Sequence, residues 1–130
     1  YTKKTSIYLE SGKNPYTKPV YLLTSQQSAS ATDMMALISM ELNNIKRIGS
    51  HTNGALSDAL QKTLPNGWNF SLSNEVFTDN NDKFYENIGI PVDFELNYPE
   101  DRQTFFRGVA NDLDLDKQSV MNAIRKLIQE

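Results

Sequence analysis

"TSQQSASATDMMALISMEL", Thr24–Leu42, follows the continuous apolar run Val20–Leu23 and leads into a stretch with helical spacing. Ala31, Met35, Ile38, Leu42 and Ile45 recur three or four residues apart, and Met34 and Leu37 widen the stripe. The run reads as a buried strand over Pro19–Thr24, and the stripe as a helix over roughly residues 31–45. Ser28 and Ser30 lie among small residues at the join. Helix N–H groups point outward at such a join, and the macrodipole favours negative charge there, as a developing oxyanion requires. Ser and Thr are also preferred N-caps, so Ser28, Ser30 or Thr32 fit a plain capping role as well.

The 130 residues, 38% hydrophobic and 22% charged, suit a single domain over 1–130. A net charge of −3 with no basic cluster denser than Lys46-Arg47 argues against a nucleic-acid surface. No window approaches the roughly 18 consecutive apolar residues of a membrane span. The absence of cysteine excludes disulfides, thiolate metal sites and cysteine nucleophiles. Asp79, Asn81 and Asp82 lack the glycine and distal glutamate of a calcium loop and read as a solvated turn, so no metal or cofactor is expected. The chain opens on Tyr1 rather than Met, as a processed or excised piece would.

Ile7-Tyr8-Leu9 is a short strand candidate. After Gly49 the period changes to two: Leu56, Leu60 and Leu64, then Trp68, Phe70, Leu72 and Val76 across the turn Pro65-Asn66-Gly67, predict a long hairpin with one buried face. Residues 79–82 supply a second turn, and Lys83–Glu86 a third short strand. Arg102–Ala110 has helical spacing despite Gly108. Asp116 suits the N-cap of a last helix through Gln129, with Leu115 and Val120 as a hydrophobic staple. Strand, helix, hairpin and terminal helices make the class α/β.

Three blocks in order, "KPVYLLTSQQSASATDMMALI", "RIGSHTNGALSDALQKTLPNGW" and "FYENIGIPVD", resemble the C-terminal-processing (tail-specific) serine peptidases, in the branch of the tricorn core and the retinoid-binding relatives. That family joins a buried strand to S-A-S-A-S/A-E, then G-x-x-T-x-G, then E-x-x-G-I-x-P-D. The resemblance spans roughly residues 15 to 95. It implies a partial crotonase/ClpP-like spiral β-β-α domain, with Ser30 as nucleophile and the Ala31 N–H as one oxyanion donor. A lysine-based branch has its Lys where this chain has Ala55. The other branch uses serine, histidine and glutamate, and Glu86 matches that glutamate. Thr32-Asp33 replaces the usual small residue and Glu, and Val92 the usual second proline before Asp93.

In that branch the histidine comes from upstream of the nucleophile strand, yet no His precedes Ser30 here, and no Gly-rich loop supplies the second oxyanion donor. The resemblance therefore implies the C-terminal catalytic-domain portion of a longer peptidase, incomplete as a catalyst alone. Its partners would be a peptide or protein substrate and the upstream part of the parent chain. Bacterial relatives suggest a periplasmic or secreted parent.

Each candidate has a plainer reading. His51, the only histidine, lies in the polar segment "GSHTNG"; it is a rival base, or an ordinary exposed residue. Glu86 is either the carboxylate that orients a histidine or an edge residue. For the whole chain, the alternative to a peptidase is a non-catalytic peptide- or ligand-binding module on the same fold. An acyl-CoA enzyme stands behind both, because nothing resembles a CoA-binding segment.

Overall fold

The computed structural model describes residues 2–111 and 113–129, with backbone only for 113–116. The apolar run forms β1, Val20–Thr24, and after a six-residue turn the chain enters helix α1, Ala31–Ser39. α1 is shorter than its apolar stripe predicts. Ile45, expected on the helix, instead opens β2, Ile45–Gly49, which pairs in parallel with β1 from Val20 opposite Ile45 to Thr24 opposite Gly49. Pairing with β1 outweighs local helical spacing, and Asn43-Asn44 gives the chain its exit: Asn44 Nδ2 donates to the Tyr16 and Lys18 carbonyls, each at 3.1 Å.

Two strands, β3 at Ala59–Thr63 and β4 at Asn69–Ser73, form the expected hairpin, with Leu60 opposite Leu72 and Lys62 opposite Phe70. Its burial does not follow the prediction. β3 and β4 pair only with each other as a two-stranded sheet, and Leu60, Leu64, Trp68, Phe70, Leu72 and Val76 are all exposed. Alternation sets which side chains share a face, but burying that face requires an opposing layer. Only Leu56, ahead of β3, joins the core.

Lys83–Glu86 does not form a strand either; what remains is one antiparallel bridge between Thr78 and Phe84. Ile7-Tyr8-Leu9 is exposed and irregular, with no neighbouring strand among the described residues to supply hydrogen bonds. A strand that periodicity did not show, β5 at Phe94–Glu95, pairs in parallel with β2 and completes a sheet of order β1-β2-β5.

Helix α2, Arg102–Asn111, begins after Asp101, whose Oδ2 accepts the Thr104 N–H and hydroxyl, each at 2.7 Å. Helix α3, Leu113–Gln129, starts ahead of Asp116, so Asp116 is a helix residue rather than its N-cap. The side chain of Leu115 in the expected staple lies outside the described residues, as do those of the Asp-Leu-Asp-Leu-Asp run at 112–116, whose sequence suits helix capping and solvated charge.

The core gathers Ala36 and Leu37 of α1 with Leu56, Tyr85 and Ile90, flanked by Leu22, Met34, Met40 and Phe77. It draws together the three sequence blocks that carry the candidate site.

Candidate active site

The carboxyl ends of β1, β2 and β5 meet at Thr24, Gly49 and Glu95. Ligands of parallel α/β sheets bind outside such strand ends. Thr24 and Gly49 lead into two loops, 25–30 and 50–57, that bind each other. Asn53 N–H donates to the Ser28 carbonyl at 2.8 Å, and Asn53 Nδ2 to the Gln26 carbonyl at 3.2 Å. Ser25 N–H donates to Ser28 Oγ at 3.1 Å, so Ser28 helps to shape the turn.

Ser30 occupies the N-cap position of α1 with φ 57° and ψ −118°. A non-glycine residue in that region carries backbone strain of about 1–3 kcal/mol and persists only where its surroundings enforce it. Here the Ser30 N–H donates to the Ala55 carbonyl at 3.2 Å, and the Ser30 carbonyl accepts the Met34 N–H at 3.0 Å. The Ser30 side chain makes no capping hydrogen bond, and the residue is exposed. The plain N-cap role expected as the alternative is therefore not what its hydroxyl does. Ala31 is the first residue of α1, also exposed, where helical N–H groups lack intrahelical acceptors.

Asp33 is fully buried, and its Oδ1 and Oδ2 accept the N–H groups of Gly54 at 2.9 Å and Ala55 at 3.0 Å. A buried carboxylate must be satisfied in this way. Sequence reasoning placed Asp33 as a capping substitution and missed this clamp. The available signal was its position: Asp33, Ala36 and Leu37 fall at i, i+3 and i+4 on the buried stripe, where a charge demands partners.

The third block locks onto the second. Thr52, fully buried, donates its N–H to the Ile90 carbonyl at 3.1 Å, and its Oγ1 accepts the Ile90 N–H at 2.8 Å. Gly54, at φ 79°, lies so close to the next segment that a Cβ would come within 2.6 Å of the Gly89 N. Gly89, at φ 86°, leaves equally little space against the Thr52 carbonyl. Both positions need a residue without a side chain. Farther along, Asp93 accepts the Arg47 backbone N–H at 2.7 Å and pairs with its guanidinium at 3.0 Å, anchoring the block to β2.

Glu86 is half-buried, and its Oε2 accepts the N–H groups of Leu56 at 2.9 Å and Ser57 at 3.1 Å. It thus holds the same loop that holds Ser30, one and two residues beyond Ala55. His51 is exposed; its Nδ1 lies 2.8 Å from the Thr52 carbonyl and its Nε2 3.4 Å from Gln26 Nε2. A carbonyl only accepts, so in the neutral ring Nδ1 carries the proton and Nε2 the lone pair. Among the described residues, Ser30 Oγ is hydrogen-bonded to neither His51 nor Glu86. Asp79, weighed as part of a cation loop, spends its carboxylate on its own turn: it accepts the Asn81 and Lys83 N–H groups at 2.9 Å and the Tyr85 hydroxyl at 3.1 Å. No helix among the described residues is long and apolar enough to cross a membrane.

Residues 1–96 match the sequence profile of peptidase family S41. Three solved structures share the fold. A Parabacteroides merdae protein classed as a peptidase is 24% identical with TM-score 0.64, covering 81% of this chain and 35% of that one. Mature CPAF complexed with lactacystin is 22% identical with TM-score 0.64, covering 88% and 22%. The photosystem II D1 C-terminal processing protease is 20% identical with TM-score 0.53, covering 68% and 24%. The chain thus spans about a third or less of the length of these structures. Among curated proteins none matches.

Proposed function

Because the chain belongs to peptidase family S41, we propose that it carries the nucleophile of a serine peptidase of the carboxyl-terminal-processing type. The observation that carries this reading is the backbone of Ser30, at φ 57° and ψ −118° in a sharp strand-to-helix turn with an exposed, uncapping side chain. A strained turn of this kind lifts a nucleophilic hydroxyl clear of the sheet.

In the proposed reaction Ser30 Oγ attacks the peptide carbonyl carbon while a histidine takes its proton. The developing oxyanion accepts the Ala31 N–H. The imidazolium then protonates the leaving amine, and water releases the acyl group by the reverse sequence. The histidine and the second oxyanion donor come from a part of the parent outside residues 1–130, within a crotonase-like spiral. Glu86 orients the histidine. Both of its described N–H donors reach Oε2, which leaves Oε1 to accept an imidazole N–H.

A fluorophosphonate probe tests the assignment. The full-length parent should label at Ser30 and lose labelling in Ser30→Ala but not in Ser28→Ala. The 130-residue chain should label at least about a hundredfold more slowly, as loss of one oxyanion donor alone costs that much. Equal labelling of the chain and its parent would make an internal group, His51 first, the base.

The second reading is a non-catalytic peptide- or ligand-binding module. It is favoured by the absence, among the described residues, of any base hydrogen-bonded to Ser30 Oγ. A parent with no histidine upstream of Ser30, and no labelling, would establish it.

A further inference from the structure

We propose that the outer edge of β3 is where the substrate docks, as an extended peptide added to the hairpin as a further strand; the inference rests on the peptidase reading of Ser30. β3 and β4 form a sheet of two strands, and no other strand among the described residues pairs with either. All five residues of β3 are exposed. A two-stranded hairpin is only marginally stable in water, and an unpaired strand edge is a template for another chain.

The register decides which groups the edge presents. The Leu64 N–H donates to the Trp68 carbonyl at 2.8 Å, and the Asn74 N–H to the Asp58 carbonyl at 3.1 Å. Hydrogen-bonded and non-hydrogen-bonded pairs alternate along an antiparallel ladder, so Leu60 and Lys62, opposite Leu72 and Phe70, bond inward. The N–H and carbonyl groups of Ala59, Gln61 and Thr63 therefore point outward, away from β4. Alternate residues of any extended chain repeat at the same spacing of roughly 7 Å, so a peptide backbone can bond to all three. On one face of the added strand, every second side chain would lie beside Leu60 and Leu64, both exposed. The edge thus reads main chain whatever the sequence and favours apolar side chains at alternate positions.

The outer edge of β4 presents a similar row at Asn69, Ser71 and Ser73, and position in the chain singles out β3. β3 opens at Ala59, four residues beyond Ala55, whose carbonyl holds the Ser30 N–H, and Glu86 holds Leu56 and Ser57 between them. Four residues span at most about 14 Å. A peptide with its scissile bond at Ser30 therefore reaches β3 within a few residues. β4 follows only after the turn at 65–67 and does not continue from that loop.

The test titrates the ¹⁵N-labelled 130-residue chain with acetyl-Lys-Val-Thr-Val-Lys amide, following backbone amide shifts. Two further probes carry N-methyl groups, one on both valines and the other on the threonine and second lysine. The unmethylated probe should move the amides of Ala59, Gln61 and Thr63. Because a strand edge uses every second amide, one methylation pattern should weaken binding about tenfold and the other leave it unchanged. Gln61→Pro, which removes an outward N–H but no bond to β4, should weaken binding several-fold, and Ser71→Pro on the opposite edge should not. Equal effects of the two methylation patterns, no binding, or shifts confined to β4 would overturn the proposal. So would amides of residues 59–63 already protected from hydrogen exchange in the unliganded parent, since the edge would then belong to a strand of the upstream part. The comparison of methylated probes on the unsubstituted chain holds even if a proline variant fails to fold. Fluorophosphonate labelling of Ser30 in the parent is read separately. Edge pairing without labelling counts against the peptidase reading alone, and labelling without edge pairing against the docking edge alone.

Discussion

The buried carboxylate of Asp33 accepts the N–H of Ala55, whose carbonyl accepts the N–H of Ser30. The helix that follows Ser30 therefore fixes, through Asp33, the loop that holds Ser30 in its strained conformation. Asp33→Asn replaces one acceptor oxygen by an amide donor facing an N–H. It should cost about 1–3 kcal/mol of stability, the usual penalty for a buried unsatisfied group. Urea denaturation measures this, and fluorophosphonate labelling of Ser30 in the parent should slow as well. Unchanged stability would mean that the loop holds itself.

Strain at Ser30 can be separated from its chemistry by comparing two substitutions that both remove the hydroxyl. Glycine adopts positive φ without steric cost, whereas alanine retains the strain. Ser30→Gly should be more stable than Ser30→Ala by about 1 kcal/mol in thermal or denaturant unfolding. Equal or reversed stabilities would show that the turn is relaxed.

Trp68, the only tryptophan, is 73% exposed at the tip of the hairpin. Its fluorescence in the 130-residue chain should be red-shifted and readily quenched by acrylamide. Trp68→Ala should change stability by no more than about 0.5 kcal/mol, as surface substitutions do. A blue-shifted, protected emission would restore the buried hairpin face that the alternation suggests.

Asp79 and Tyr85 give the chain a dependence on pH at both extremes. The Lys83 backbone N–H, more than any other contact, holds the Asp79 carboxyl below its ordinary 3.8. Its contribution to stability is fully present above that value and is lost as pH falls through the lower folded one. Burial, followed by donation to Asp79, raises the Tyr85 phenol above its ordinary 10.0. That contribution is present below 10.0 and is lost as pH rises through the higher folded value. Chemical denaturation across pH should show Asp79→Asn flattening the acid limb and Tyr85→Phe the alkaline limb.

Much of this protein can be read locally in its sequence. The continuous run Val20–Leu23 and the helical spacing after it placed a strand end and a helix start on either side of Ser30, because both signals come from residues adjacent in the chain. The turn at Pro65-Asn66-Gly67 likewise set the hairpin register. Tertiary pairing decided the rest. Ile45–Gly49 became a strand because β1 offered it a parallel edge, and Phe94–Glu95 joined because β2 offered the next. The same distinction runs through the site. The three motif blocks are visible in order along the chain, but the Asp33 clamp, the approach of Gly54 to Gly89 and the hold of Glu86 on the Leu56 and Ser57 amides link residues 21 to 35 positions apart. Ser30 takes its positive φ because those long-range hydrogen bonds enforce it against the local preference of a serine.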